Sequence, residues 1–439
     1  MKKILRLLAP KFILSGYHLA LAYLAALWFG FPSKKMTVIA VIGTRGKTTT
    51  ANLIWSCLTA AGHKTGLTGT ANIRIGDREF LNPYHMTMPG RFVLQKLLSD
   101  MKRAGCEYAV VETPSEGVEQ WRHKGISYDA AVLTVVYPEY AAAHGWSFER
   151  CKRMHLEVFK KLAGGKRKIL NGKKVPKTIV VNADSDFSED FIQCEADKKI
   201  TYGIKHATDC RGEDIRVGQS NITFRVGKDT YELRMRGAFN VPNALAAVAL
   251  CSALGIEQEA ITQGISQLKC VPGRMESIEA GQPFLVLVDY AHDAVSIEAA
   301  LRAVHVMKKS RSSKVIVLFG ATGGGRDKKR RPLMGRLAAE LADLVIVSND
   351  DPYDDDPQEI LEDVARGAEE AGAKRGEKLF VIEDRRAGMA KAFSLAKEGD
   401  IVLIAGKGAE QSMVMSGGRE IAWDDRVIAR EELGKRANI

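Results

Sequence analysis

The chain reads as an α/β protein built around a doubly wound parallel sheet. Three observations predict this. Strand-like and helix-like patterns alternate from residue 36 onward, a glycine turn joins an apolar run to a helix at 43–49, and a second alternating series begins near residue 281. The expected organisation is a hydrophobic N-terminal helix in 1–35, a P-loop-type doubly wound domain in 36–272, and a Rossmann-like α/β domain in 273–439.

The first element runs from Phe12 to Phe31, twenty residues without a charge, preceded by Lys2, Lys3, Arg6 and Lys11 and followed by Pro32, Lys34 and Lys35. That length is about what a helix needs to cross the hydrocarbon core, and Tyr17, Tyr23 and Trp28 suit its interfaces. No small-residue cleavage pattern follows, which argues against a removed signal peptide. Spanning a membrane, lying in its interface and packing on the globular part all remain open for residues 12–31.

Next comes the apolar run Val38-Ile39-Ala40-Val41-Ile42, read as a buried strand, and then Gly43-Thr44-Arg45-Gly46-Lys47-Thr48-Thr49 leading into a helix. Glycines let the backbone curl round a phosphate chain, so that N–H groups and the helix N-terminus face the anion. Lys47 then reaches the outer phosphates and the Thr48 hydroxyl binds Mg²⁺. Val41 stands where the common G-x-x-x-x-G-K-[ST] spacing has its first glycine, so the loop is a shorter variant; an ordinary surface turn is the plain alternative.

Further strands are expected at 65–70, 107–113, 129–135, 178–182 and 200–203, with helices near 47–61, 91–103, 146–163 and 240–253. Residues 213–236 alternate polar and apolar around Gly218 and Gly227, which predicts antiparallel hairpins appended to the sheet. Gly264 to Arg274 reads as the connection between the halves. The second series places strands at 284–290, 314–320, 344–348, 379–382 and 400–405, each followed by a helical pattern.

Composition narrows the class. An apolar content of 46% and a charged content of 27% over 439 residues fit a globular protein of two or three domains. The net charge of +11 suits phosphorylated or anionic substrates or a membrane surface. Nucleic acid is disfavoured, because no aromatic-rich basic module is present. The seven cysteines form no C-x-x-C pair and lie in apolar segments, as buried reduced thiols of a cytoplasmic protein do.

Ordered motifs carry a resemblance. They are Gly43–Thr49, Met86–Gly90, Gly105–Glu112 with Ser115–Gly117, Val181–Asp184, Gly237–Ala247 and Val271–Glu276. In the second half come Val288–His292, Gly323–Asp327, Glu383–Arg385 and Gly406–Gly408. From residue 36 to the end the chain resembles the Mur ligase superfamily, most of all its UDP-N-acetylmuramoyl-tripeptide synthetase branch. The resemblance implies an ATP-dependent ligase of peptidoglycan biosynthesis, hence of cell-wall biogenesis and cell shape. ATP phosphorylates a carboxylate to an acyl phosphate, and an amine then attacks.

It also implies residue roles. Lys47, Glu112 and Arg330 would be catalytic, with Thr48, Glu112 and the position of His155 on Mg²⁺. Gly43, Thr44, Arg45, Gly46, Lys47, Thr48, Thr49, Asn240, Asn243, Arg274 and Asp289 would hold ATP. Thr87 and Ser115 would face the cell-wall substrate, and Asp350, Asp351 and Tyr353 the incoming amino acid. Read without the resemblance, Glu112 could be an exposed or capping carboxylate, Asn240 a helix cap, and Arg274 and Asp289 surface ion-pair members.

Departures from the family pattern matter as much. A metal-binding histidine falls on Tyr140, an asparagine on Val135, and a lysine carbamylated in relatives on His155. His144 lies close to Tyr140 in sequence. His155 also lies on the stripe Phe148, Cys151, Phe159 and Leu162, where it reads as a core histidine. Ala409 replaces a histidine and Arg330 a lysine. Tyr353 replaces an arginine suited to diaminopimelate, while Asp354-Asp355-Asp356 makes an acidic rim suited to a cationic or neutral amine. Only 42 residues precede Gly43, where the branch carries a uridine-binding domain.

The leading expectation is a ligase acting on a peptidoglycan precursor, with a lipid-linked one among the candidates, at the inner face of the cell membrane. The rivals are a catalytically weakened ATP-binding partner and a folate or poly-γ-glutamate ligase.

Overall fold

The structure, a computed structural model, describes residues 11–137 and 147–437; Tyr140 and His144 lie outside these. Two sheets, each covered on both faces, make the body of the molecule.

The first sheet has nine strands, in the order Cys210–Arg211, Lys198–Gly203, Thr178–Asn182, Ala130–Leu133, Thr37–Ile42, Tyr108–Glu112, Thr65–Thr68, Asn72–Ile75 and Arg78–Leu81. Pairing is parallel from the first of these through Thr65–Thr68. The last two strands add an antiparallel edge hairpin within 72–81 that the sequence reading did not contain. Alternation inside single strands explains the double winding. Ile39, Val41, Val110 and Val132 pack under helices Lys47–Ala60, Val241–Ala253 and Gln258–Gln267. Val38, Ala40, Ile42, Val111 and Leu133 pack on the other face against Arg91–Arg103 and Phe148–Ala163.

The expected hairpins form their own sheet (Glu213–Val217, Ile222–Val226, Asp229–Leu233) rather than extending the first one. Its inward residues Ile222, Phe224, Tyr231 and Leu233 join the first sheet's core through the side that holds Val241–Ala253. The connection between halves is shorter than expected, because Gly264 lies inside helix Gln258–Gln267. It is held there by close approach, since a Cβ on it would stand 2.4 Å from the Cys57 Cα.

The second sheet runs Glu276–Ile278, Leu285–Asp289, Ile401–Ala405, Val315–Phe319, Leu344–Val347, Leu379–Val381. Only the edge strand Glu276–Ile278 is antiparallel. Helices Ala294–Met307, Arg330–Leu341 and Pro357–Glu370 cover one face, Arg385–Leu395 and Asp425–Ala437 the other.

The apolar N-terminal segment forms helix Lys11–Trp28. Of the readings left open for it, packing on the globular part is the one the structure takes. Ala22, Ala25 and Ala26 are buried, and Gly125 approaches Ala26 closely enough that a Cβ would meet it at 2.8 Å. The Trp121 Nε1–H also donates to Ser15 Oγ at 2.7 Å. The spanning reading is corrected: no helix among the described residues is long and apolar enough to cross a membrane. Tyr17, Leu24, Leu27 and Trp28 form the exposed side of this helix. All seven cysteines are free, and five are buried.

Candidate active site

The C-terminal ends of the parallel strands in both sheets open onto one cavity of about 990 Å³, the position at which doubly wound sheets place ligands. From the first sheet come the loop after Thr37–Ile42 and the segment after Tyr108–Glu112. From the second come the ends of Leu285–Asp289, Leu344–Val347 and Ile401–Ala405.

The loop Gly43–Gly46 is framed by the chain after strand Ala130–Leu133. Thr44 N–H donates to the Val135 carbonyl at 2.7 Å, and Thr134 Oγ1–H to the Arg45 carbonyl at 2.6 Å. Gly43 and Gly46 take φ of 139° and 80°, conformations that favour glycine. A Cβ at Gly46 would stand 2.3 Å from Asn243 Oδ1, so the loop touches helix Val241–Ala253 directly. Lys47 Nζ donates to the Gly43 and Thr44 carbonyls at 2.8 and 3.1 Å, folding its ammonium over the loop. Burial pulls its pKa down, with Glu112 opposing.

Glu112 settles the question left by the sequence. It is fully buried at the end of its strand, neither exposed nor a cap. Its carboxylate accepts from Thr48 Oγ1 at 3.0 Å, Thr70 N–H at 2.9 Å and Thr70 Oγ1 at 3.0 Å. Burial raises its pKa against the pull of Lys47 and the Thr70 amide. A hydroxyl and a carboxylate meeting beside a lysine-bearing phosphate loop are hard oxygen donors suited to Mg²⁺. Arg274 reaches the same point, with Nη2 3.2 Å from Thr48 Oγ1 and its guanidinium 4.2 Å from the Tyr290 ring centre.

Asn240 and Asn243 are buried and bonded to each other at 3.0 Å. Asn240 stands at the N-cap position, yet its side chain makes no cap bond and donates to the Arg236 carbonyl instead. Asp289 is buried and accepts from the Met275 and Ala291 amides, both at 2.8 Å. Neither it nor Arg274 is a surface ion pair. Thr87 lines the cavity and lies 2.9 Å from Thr70 Oγ1. Ser115 does not line it: its side chain is buried beneath Pro114, Glu116 and Gly117, which do.

Arg330 lines the cavity from the start of its helix, with Nη2 donating to the Thr322 carbonyl at 2.9 Å. Asp350, Asp351 and Tyr353 form the far wall with Glu410 and Ser412. Here the fully buried Lys407 ammonium binds Glu410 at 2.7 Å and Asp351 at 2.8 Å, with Asp350 at 3.8 Å. Burial pushes the Asp350 carboxyl up to about 6. Ligand-type atoms of His85, Asp351 and Glu410 come within 4.8 Å of one another, but Lys407 already supplies the positive charge there.

Two further expectations are corrected here. His155 is wholly buried on the stripe Cys151, Val158, Phe159 and Leu162, its Nδ1 bonded to the Cys151 carbonyl at 2.9 Å, and it does not line the cavity. Burial holds its pKa down at about 4, so it is a neutral core histidine behind the loop rather than a metal ligand. The acidic rim is consumed by the fold: Asp354 accepts from Gly417 N–H at 2.7 Å, Asp355 pairs with Arg331 at 2.9 Å, and Asp356 caps helix Pro357–Glu370. Ala409 is buried where Gly273 approaches its backbone, a packing position.

Sequence reasoning missed His85, Thr70, Asp293, Lys407 and Glu410. His85 directly precedes the Met86–Gly90 stretch, and Lys407 sits inside Gly406–Gly408, so proximity to a motif was the available signal.

Residues 41–251 match the Mur ligase middle domain and residues 273–408 the Mur ligase, glutamate ligase domain. The chain is 38% identical to the UDP-N-acetylmuramyl-tripeptide synthetase of Roseiflexus sp. (strain RS-1), over 98% of this chain and 85% of the relative. The chain belongs to the Mur ligase family. The UDP-N-acetylmuramoyl-L-alanyl-D-glutamate--2,6-diaminopimelate ligase of Geobacillus kaustophilus (strain HTA426) is 36% identical, over 97% of this chain and 85% of that one. Among solved structures, a UDP-N-acetylmuramoyl-L-alanyl-D-glutamate--2,6-diaminopimelate ligase aligns with a TM-score of 0.60 at 27% identity, covering 92% of this chain and 79% of that one. The Mycobacterium tuberculosis folylpolyglutamate synthase aligns with a TM-score of 0.69 at 16% identity, covering 95% of both, and shares the fold.

Proposed function

We propose that this chain is an ATP-dependent ligase that joins a carboxylate of a peptidoglycan precursor to an amine through an acyl phosphate. The observation that carries the reading is that Lys47 and Thr48 line one wall of a cavity, with the buried Glu112 bonded to Thr48 directly behind it, and that Asp289, Asp350 and Glu410 line the other wall. The residues divide as 36–272 for nucleotide binding and 273–439 for closing over it.

Lys47 and the loop Gly43–Gly46 hold the phosphates, and Lys47 offsets the charge that develops on the moving phosphoryl group. Thr48 and Glu112 would hold Mg²⁺, which when bound neutralises phosphate charge. Arg274 and Arg330 add cations along the same path. Asn240, Asn243 and Asp289 fix the nucleoside. Thr87 orients the carboxylate carrier near Thr70 and Glu112.

The amine end favours an amino acid with a second cationic group and one carboxylate. Lys407 is already bound to Asp351 and Glu410, and Tyr353 offers no cation for a distal carboxylate. Against the weakened-partner reading, His155 and Ala409 both lie in packing positions outside the cavity. Phosphate release from ATP is the test, measured with UDP-N-acetylmuramoyl-L-alanyl-D-glutamate and either L-lysine or diaminopimelate. Release that depends on both carrier and amine, faster with lysine, supports the reading. Release with neither amine sinks it.

A further inference from the structure

His85 lines the cavity from the first half and reaches the amine end in the second. Its Nε2 lies 3.2 Å from Asp351 Oδ2, its Nδ1 3.5 Å from Ser412 Oγ and 4.0 Å from Glu410 Oε1. It lines the cavity and takes φ of 47°, in the left-handed region that non-glycine residues rarely enter. Strain of this kind persists where surrounding contacts over-determine a position, and it clusters at functional sites.

Its position along the chain also matters. Two residues on, Thr87 bonds to Thr70, whose hydroxyl and amide both bond to Glu112. Two residues of extended chain span at most about 7 Å. The imidazole therefore stands between the phosphate end of the cavity and the acidic amine end.

We infer that His85 is the proton acceptor for the incoming amine, with Asp351 holding its ring. The inference rests on the ligase reading above. Nε2–H donating to Asp351 leaves the Nδ1 lone pair facing Ser412 and Glu410. An amine arriving as an ammonium gives up two protons on becoming an amide N–H. The first goes to water before attack. The second passes to Nδ1 as the C–N bond forms and the acyl–phosphate C–O bond breaks, phosphate leaving with the bonding electrons. The imidazolium then returns its proton to water.

The neighbouring groups are poorer acceptors. Lys407 is kept protonated by Glu410, Asp350 and Asp351 despite its burial. Glu410 is tied to Lys407 and to Tyr290 Oη, the latter at 3.1 Å. The charged groups facing His85 are Asp351 after strand Leu344–Val347, and Lys407 and Glu410 after strand Ile401–Ala405. Its bond to Asp351 raises its pKa above the ordinary value, against burial and the Lys407 charge and with help from Glu410. It is thus a stronger base than free histidine.

The test compares wild type, His85→Gln and His85→Asn with ATP, UDP-N-acetylmuramoyl-L-alanyl-D-glutamate and L-lysine. ADP–ATP exchange without amine reads carboxylate phosphorylation; amide formation from pH 5.5 to 9 reads the second step. Both variants should keep exchange within about twofold of wild type and lose about 10²–10³-fold in kcat for amide formation. They should also lose the ascending limb of the pH profile. Asp351→Asn should move that limb to lower pH. Exchange and amide formation falling together in the histidine variants would make His85 a bridge between halves and overturn the inference. So would kcat within threefold of wild type with the limb intact. A wild type inactive with every carrier and amine overturns the ligase reading and this inference with it, whereas the other two results overturn this inference alone.

Discussion

At the phosphate end of the cavity, the lining groups come from six consecutive residues, 44–49, with Glu112 of the neighbouring strand buried behind Thr48. At the amine end they are His85, Asp350, Asp351 and Glu410, drawn from three segments far apart in the chain, with the Lys407 ammonium buried behind them. One end is a backbone shape fixed by two glycines. The other is a buried charge cluster that exists only when two halves meet. The first is a local solution and tolerates charge poorly, since burial lowers the Lys47 pKa and raises that of Glu112. The second depends on charges balancing one another, and so on its supports.

The largest effect should appear in those supports. Arg385 Nε and Nη2 bond to Asp425 at 2.8 and 2.7 Å, both side chains wholly buried, and the guanidinium also holds the Asn349 and Ala405 carbonyls beneath the cluster. Arg385→Ala leaves a buried carboxylate unpaired and should lower unfolding stability by about 3–5 kcal/mol, read by urea denaturation. A loss under about 1 kcal/mol would show that the amine end is not held by this pair.

At the other end the expected loss is of chemistry. Lys47→Ala should cut ATP-dependent phosphate release by about 10²–10³-fold, the scale of removing one preorganised charge-stabilising group. Its stability change should be smaller than that of Arg385→Ala. Equal destabilisation by the two substitutions would erase the contrast.

The same contrast explains what was legible in the sequence. Gly43–Thr49 could be read because a phosphate cradle needs particular residues at fixed spacing between a strand and a helix. The parallel strands could be read because they are buried on both faces and therefore run apolar without interruption, as in Thr37–Ile42. The strands in 72–81 are only four residues each, Asn72–Ile75 largely buried and Arg78–Leu81 largely exposed, too brief for a pattern to stand out. Lys407 stood only as the middle of the Gly406–Gly408 motif, because nothing local says that Asp351 and Glu410 will close on it. Asp354, Asp355 and Asp356 looked like a substrate rim, since capping and pairing with Arg331 are decided by elements elsewhere.

Asp350 gives a smaller effect with a sign that can be checked. Its folded pKa, about 6, lies above the ordinary carboxylate value because burial disfavours the anion, with Lys407 and Arg385 only partly opposing. Between about pH 4 and 6 the folded state binds the extra proton, so stability falls as pH rises through that window. Asp350→Asn removes the titration and should stabilise the protein by about 1–2 kcal/mol at pH 8, with little difference at pH 4. Urea denaturation at the two pH values decides it, and equal effects at both would mean that Asp350 is ionised at no cost.

The smallest effect lies where the two halves touch beside the phosphate loop. Arg45 Nη2 stands 2.9 Å and Nε 3.4 Å from the Asp293 carboxylate, and both side chains are 20% exposed. Asp293 also caps helix Ala294–Met307 through the Ser296 amide, a bond that asparagine preserves. A cycle of Arg45→Gln and Asp293→Asn therefore isolates the ion pair, and its coupling should be about 0.5–1 kcal/mol once solvent screening is allowed for. Burial opposes the Asp293 anion, yet Arg45 and the Ser296 bonds outweigh it and hold the carboxyl below its ordinary value. The coupling should thus be present above the ordinary carboxylate pKa and be lost as pH falls through the depressed one; it should also shrink as salt is raised. Zero coupling at low salt would leave Arg274, bonded to Thr48 and stacked on Tyr290, as the arginine that docks the second half on the phosphate end.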